Sequence, residues 1–242
     1  MGWHSRSVLM AYNFRMPASA TTSRTLPAYL RNRGLRKPVN FRWRLLRYLL
    51  GIASLGLAIA VMLSAGIGLG PWDVFHQGLA RTLGLTFGQV LVGVGFAILA
   101  VAWLTTRERP GPGTFINMIL VGPSVDLYLR SGLVPSPESW WLGAIQMVVG
   151  TALAGLGAGL YISARFGAGP RDTFVLGLAR VFGRSIRVAR TGLEITVLIL
   201  GWLLGGTAGV GTLLFAVLIG PFMQASVRTF GRFDPRKVQR AP

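Results

Sequence analysis

A chain of 242 residues that is 52% hydrophobic and only 13% charged has the composition of a membrane protein rather than of a soluble domain. Its 25 Lys and Arg outnumber its 7 Asp and Glu, for a net charge of +18, but they crowd beside apolar segments with no aromatic RNA-binding signature and no zinc-finger spacing, which argues against a nucleic-acid partner. The lack of cysteine excludes disulfides, thiol nucleophiles and Cys-ligated metals, and His4 and His76 are too far apart to suggest a metal site, so no cofactor is expected.

Residues 1–40 are rich in Ser, Thr, Arg and Pro, contain no acid and lack the short apolar core of a cleavable signal peptide. They read as a disordered basic tail. The same composition fits a mitochondrial transit peptide, and Met10 or Met16 would serve equally as the true start.

From Trp43 onward six apolar segments can be drawn, at 45–65, 86–105, 113–129, 140–164, 186–204 and 211–227. With a helical rise of about 1.5 Å per residue, the first, second, fourth and fifth can cross a hydrocarbon core of about 30 Å, whereas the third and sixth are marginal. Loop charge tests the topology independently. Six crossings with a cytoplasmic N-terminus leave Arg81 and Arg130 outside and put the other 23 basic residues inside, including those of the basic C-terminal tail 229–242.

The chain also repeats itself. Gly70-Pro71-x-Asp73 and Gly78-Leu79-Ala80-Arg81 recur as Gly169-Pro170-x-Asp172 and Gly177-Leu178-Ala179-Arg180, all at an offset of 99 residues. Trp103 keeps that offset to Trp202, and after one deletion Gly122-Pro123 recurs as Gly220-Pro221 at an offset of 98. Residues 41–130 and 131–228 are therefore two membrane repeats. Each holds three crossings, an odd number, so the halves should run in opposite directions. The expected fold is an all-α polytopic membrane protein of about six transmembrane helices in two three-helix inverted repeats.

Each repeat adds a short helix opened by Gly-Pro. Phe75, Leu79 and Leu83 make one stripe at helical spacing, and Phe174, Leu178 and Phe182 repeat it. About twelve residues span only about 18 Å, so each is an interfacial or re-entrant helix, the first break facing outside and the second the cytoplasm. Asp73 and Asp172 fall in the first turns. They oppose the positive end of the helix dipole, or serve as cation or proton ligands at the two ends of a path. His76 shares a face with Asp73, but Val175 replaces it in the second repeat, and it reads as an exposed interfacial residue.

The third and sixth segments are interrupted at Gly122-Pro123 and Gly220-Pro221, and short interrupted spans in matching positions point to a transport site. Asp126 and Gln224 follow them. Asp126 lines a path or lies at the outer interface near Arg130; Glu194 is a proton-coupling carboxylate or the i,i+4 partner of Arg190. Asn117 and Gln146 are solute ligands or interhelical hydrogen bonds. The candidates for a substrate or ion path are thus Asp73, Asp126, Asp172, Glu194, Asn117 and Gln224. Gly155, Gly159, Gly201 and Gly205 read as packing positions that let helices approach closely.

The stretches "GLGPWDVFHQGLARTLGLTFGQ", "GAGPRDTFVLGLAR" and "GGTAGVGTLLFAVLIGP" carry a resemblance: residues 43–228 resemble the YczE/YyaS/YitT-like bacterial integral membrane proteins. The resemblance implies a polytopic helical protein of the bacterial cytoplasmic membrane and argues against the transit peptide. It brings no catalytic residues, since that family has no established substrate or reaction.

The expected function is that of a small secondary-transporter-like protein moving an unidentified solute or lipid-like molecule. Without a Gly-x-x-x-x-Gly-Lys loop it has no built-in nucleotide hydrolysis. The alternative is a non-transporting scaffold or accessory factor that positions partner enzymes through its basic cytoplasmic surfaces. An enzyme is not expected, because no nucleophile with a neighbouring base, metal-ligand cluster or cofactor motif is found. The expected partners are the bilayer, anionic lipid headgroups on the Arg-rich stretch 165–190, a small solute and, by analogy with other small inverted-repeat proteins, a second copy.

Overall fold

The structure is a computed structural model and describes residues 41–106, 112–164, 166 and 170–232. The tail expected at 1–40, most of that at 229–242, and Gly169 lie outside the described residues. The described residues form eight helices and no strand: α1 (Phe41–Ala65), α2 (Pro71–Leu83), α3 (Phe87–Thr106), α4 (Pro112–Arg130), α5 (Trp140–Ala164), α6 (Pro170–Val181), α7 (Ile186–Leu203) and α8 (Val210–Arg232).

Four of these have the length and apolarity to cross a membrane: α1, α3, α5 and α8. Two expectations change places here. The sixth apolar segment, expected to be marginal, continues as a helix to Arg232 and gains the length it lacked. The fifth, α7, has 18 residues and carries Arg187, Arg190 and Glu194, which dilute its apolar character. The third remains short of the mark, as 19 residues that include Asp126 and Arg130. Pro123 and Pro221 do not break their helices, since α4 and α8 run through them without interruption. Proline removes one N–H from the ladder, and in a membrane bundle neighbouring helices make that loss tolerable.

The centre of the molecule is the α1–α5 pair. A Cβ on Gly51 would lie 2.8 Å from the Tyr161 N and 2.9 Å from the Gly157 O, one on Gly150 3.2 Å from the Ala58 O, and one on Gly143 2.9 Å from the Ala65 O. Residue numbers rise along α1 as they fall along α5, so the two are antiparallel and their backbones approach as only glycine permits. These contacts respect the sequence repeat. A shift of 99 residues carries Gly51 to Gly150 and Gly157 back to Ala58, so one contact maps onto the other with the helices exchanged. Ser54, which donates to the Leu153 O at 3.0 Å, joins two equivalent positions. Tyr48, Ile52, Met62, Val74 and Met147 fill the core around this pair.

On each side a parallel helix flanks the pair. Along α1 lies α4, with Tyr48 donating to the Gly113 O and Gly56 facing Ser124. Along α5 lies α8, with Gly155 against Phe222 and Gly159 against Ser226. Gly56 and Gly155 are equivalent in the repeat, as are Ser124 and Phe222.

The short helices start inside this bundle. After α1, residues 66–70 turn back along the first turns of α8, where the Gly211 N donates to the Ile67 O at 2.9 Å. Gly68 has φ +122°, and a Cβ there would lie 2.7 Å from the Gly209 N, so the position needs glycine twice over. From Gly70 the chain runs outward as α2 to its C-cap Gly84 and packs on the end of α7. There Gly78 faces Gly201 and Leu204, Arg81 donates to the Gly205 O, and the Gln77 Oε1 accepts from the Thr207 N at 2.7 Å. The counterpart α6 packs on α3. Each short helix thus rests on the third helix of the other repeat.

Candidate functional site

Gly70 and Pro71 decide where α2 begins. Gly70 sits in an extended conformation as N-cap, Pro71 takes the next position where a missing N–H costs nothing, and the amides of Asp73 and Val74 both donate to the Gly70 O at 2.9 Å. This sets Trp72, Asp73 and His76 on the first turns of a helix whose N-terminus lies within the bundle. From the other repeat, the first turn of α6 brings Arg171 to the same point.

The Arg171 Nη2 lies 3.9 Å from the Asp73 Oδ1 and 3.5 Å from the His76 Nδ1, while the same Asp73 oxygen is 3.7 Å from that Nδ1. The Arg171 guanidinium stacks over Trp72 at 4.9 Å. Trp72 and Arg171 are the two variable positions of the Gly-Pro-x-Asp motifs, equivalent at the offset of 99, so the motifs meet through their own counterparts. Phe87 closes the other side, with its ring edge-on to His76 at 5.8 Å.

Chemistry follows from the donor inventory. The His76 Nδ1 faces both the Arg171 guanidinium, which only donates, and the Asp73 carboxylate, which only accepts, so the imidazole tautomer selects which of the two it engages. The Asp73 Oδ1 is fully buried and has no hydrogen-bond partner, although burying a carboxylate without donors is costly. Asp73 and His76 are 6% and 1% exposed, whereas the Arg171 side chain is 39% exposed. The site is a buried acceptor beside an accessible cation, between two helix N-termini that both favour negative charge.

Three expectations need correction. The two breaks do not lie at opposite faces of the protein, because the ends of α2 and α6 converge. His76 is buried rather than interfacial. Arg171, assigned by loop charge to a cytoplasmic loop, lies at this meeting point. Residues 66–70 fold back beside α8 instead of leaving the bundle, which carries the start of α2, with Asp73 and His76, inside.

The other candidates are placed elsewhere. Asp126 caps α3, accepting from the Thr86 Oγ1 at 2.5 Å and the Gly88 N at 2.9 Å. It borders an open cavity of about 610 Å³ with Gln89, Pro123, Leu127 and Arg130. Glu194 accepts from the Arg190 Nε at 3.0 Å on an exposed face of α7. Asn117 is half-buried on α4, and Gln224, equivalent to Asp126, is exposed on α8. Gln146 bridges the Val61 and Pro135 carbonyls at 3.1 Å each. Asp172 belongs to the first turn of α6, and its side chain lies outside the described residues. Of the sequence candidates, then, only Asp73 enters the described cluster. Sequence reasoning missed Trp72 and Arg171, whose signal was their shared place in a repeated motif.

A helical chain with four membrane-length apolar helices and a buried charged cluster is an integral membrane protein. Residues 42–228 match a family of unknown function, DUF6198, and the chain belongs to it. It is 32% identical to the "Uncharacterized membrane protein YczE" of Bacillus subtilis, over 80% of this chain and 88% of that protein. An "Uncharacterized protein" of Haemophilus influenzae is 34% identical over 76% of this chain and 83% of its own length. The "Uncharacterized protein YyaS" of Bacillus subtilis is 30% identical over 72% and 87%. No solved structure matches significantly.

Proposed function

We infer that the protein is a small secondary-transporter-like protein of the bacterial cytoplasmic membrane, with six crossings in two inverted repeats and two re-entrant half-helices. It moves a small solute past the point where the half-helices meet. The observation that carries this reading is the 3.9 Å approach of Asp73 and Arg171, which come from equivalent first turns of the two repeats. Ionisable groups inside a membrane bundle are expensive and mark solute or ion paths, and transporters built from inverted repeats bind substrate where discontinuous helices of the two repeats converge. The antiparallel exchange of contacts between α1 and α5 supports the inverted relation. A role in binding and release, rather than in catalysis, fits a cluster of Asp, His and Arg without a nucleophile among them.

The test is transport by the full chain in proteoliposomes, followed by stopped-flow light scattering against small neutral, anionic and zwitterionic solutes. Asp73→Asn and Arg171→Gln are expected to slow uptake of the transported solute about tenfold or more, whereas Glu194→Gln leaves it unchanged. Uptake that ignores both cluster substitutions would overturn the reading.

A further inference from the structure

A second feature lies apart from the Asp73 cluster, on the flank where α3 meets α4. Gly88 and Gly122 bring these two helices into backbone contact. Beside that contact runs an open groove of about 610 Å³, walled by Val92, Gly93, Pro123 and Leu127, with Asp126 and Arg130 toward its polar end. A Cβ on Gly93 would meet nothing within 4 Å, so the groove is wide for want of a side chain there. In the second repeat Arg187 stands in place of Gly88 and Ala225 in place of Leu127, and Gly220, the counterpart of Gly122, faces open space. The contact that shapes the groove is therefore particular to the first repeat.

The two charges at the polar end are not equivalent. The Asp126 carboxylate accepts from the Thr86 hydroxyl and the Gly88 amide, so its charge is balanced by the positive end of α3. Arg130, one turn further on, is exposed and has no ion-pair partner among the described residues. Its depth follows from the packing. Because α4 runs parallel to α1 and α5 antiparallel, the last turn of α4 and the first turn of α5 lie at the same end of the bundle. That turn of α5 exposes Trp140 and Trp141, and exposed tryptophans on a crossing helix mark the headgroup level. An unpaired guanidinium thus stands where lipid phosphates lie, above an apolar groove that opens to the bilayer.

We propose that the groove between α3 and α4 binds an anionic phospholipid, with its phosphate on Arg130 and one acyl chain lying along Gly93 and Leu127. The guanidinium fork matches the paired oxygens of a phosphate, and the apolar walls gain dispersion contacts from a chain that fills the groove. A choline headgroup also carries a phosphate, but it brings a cation to the same end as Arg130 and binds less well. The site is separate from the Asp73 cluster and does not depend on what the protein moves.

The test places the full chain in phosphatidylcholine vesicles with a minor share of phosphatidylglycerol whose acyl chain carries a photoreactive diazirine. Peptide mapping after irradiation is expected to find the label on residues 88–93 and 123–127, and unlabelled phosphatidylglycerol should compete it away. Arg130→Gln should lower that labelling about fivefold, and Arg130→Lys, which keeps the charge but loses the fork, by less. Gly93→Phe fills the groove and leaves the cation in place, so it should abolish the label, whereas Arg184→Gln in the other repeat should not change it. A single symmetrical size-exclusion peak identifies the variants that remain folded. Label spread evenly over the exposed faces of α3, α5 and α8 would mean surrounding lipid only and would overturn the proposal. Competition by phosphatidylcholine as effective as by phosphatidylglycerol would overturn the anionic lipid. Exclusion of the label from the groove, together with disulfide-linked dimers of Leu127→Cys on oxidation, would assign the groove to a second copy and overturn the lipid altogether.

Discussion

Asp73 and Asp126 are carboxylates of one fold whose surroundings give them different work. Asp126 receives a hydroxyl and a backbone amide at the start of α3, the ordinary task of an acid at a helix N-terminus. Asp126→Ala is therefore expected to cost about 1–2 kcal/mol of stability, seen as a lower thermal midpoint in detergent, while solute uptake per folded molecule is unchanged. Asp73→Asn is expected to show the reverse pattern, with uptake lost and stability kept, because its Oδ1 has no donor to forfeit. Glu194→Gln removes one member of an exposed pair and should shift stability by no more than about 0.5 kcal/mol. These differences were only half visible in the sequence. The i,i+4 spacing of Arg190 and Glu194 is local, so their pairing was legible from the spacing alone. Asp126 finds its partners some forty residues away, and Asp73 meets Arg171 from the other repeat, distances no local pattern encodes.

At the scale of elements, glycine patterning was the more legible signal. Gly51 and Gly157 allow α1 and α5 to touch backbone to backbone, whereas Gly93 on α3 faces open space. Gly51→Ala should then lower the thermal midpoint by an amount equivalent to about 1–3 kcal/mol, and Gly93→Ala should leave it unchanged or raise it slightly. Comparable losses in both would mean that α1 and α5 do not pack as described. The Gly-Pro pairs show where local reading stops. At Gly70-Pro71 the pair opens a helix, because the preceding residues turn back against α8 and leave Gly70 extended as the N-cap. At Gly122-Pro123 and Gly220-Pro221 the same dipeptide lies inside continuous helices. Proline permits both outcomes, and tertiary packing chooses between them.

At the scale of the whole molecule, the repeat makes a prediction about sidedness that needs no knowledge of the solute. Leu85 and Arg184 are equivalent at the offset of 99, and both are exposed in the short connections that follow α2 and α6. If the half-helices meet by their N-termini and point apart, these connections emerge on opposite faces of the membrane, with position 85 outside by the loop-charge bias. The chain has no native cysteine, so Leu85→Cys and Arg184→Cys can be read singly with a membrane-impermeant maleimide. Intact cells should label position 85, and position 184 should react only after permeabilisation. Labelling of both from the same side would make the repeats parallel. The closeness of Asp73 to Arg171 would then lose its meaning as the junction of two oppositely directed half-helices, and the charged cluster would have to be explained as packing within the bundle.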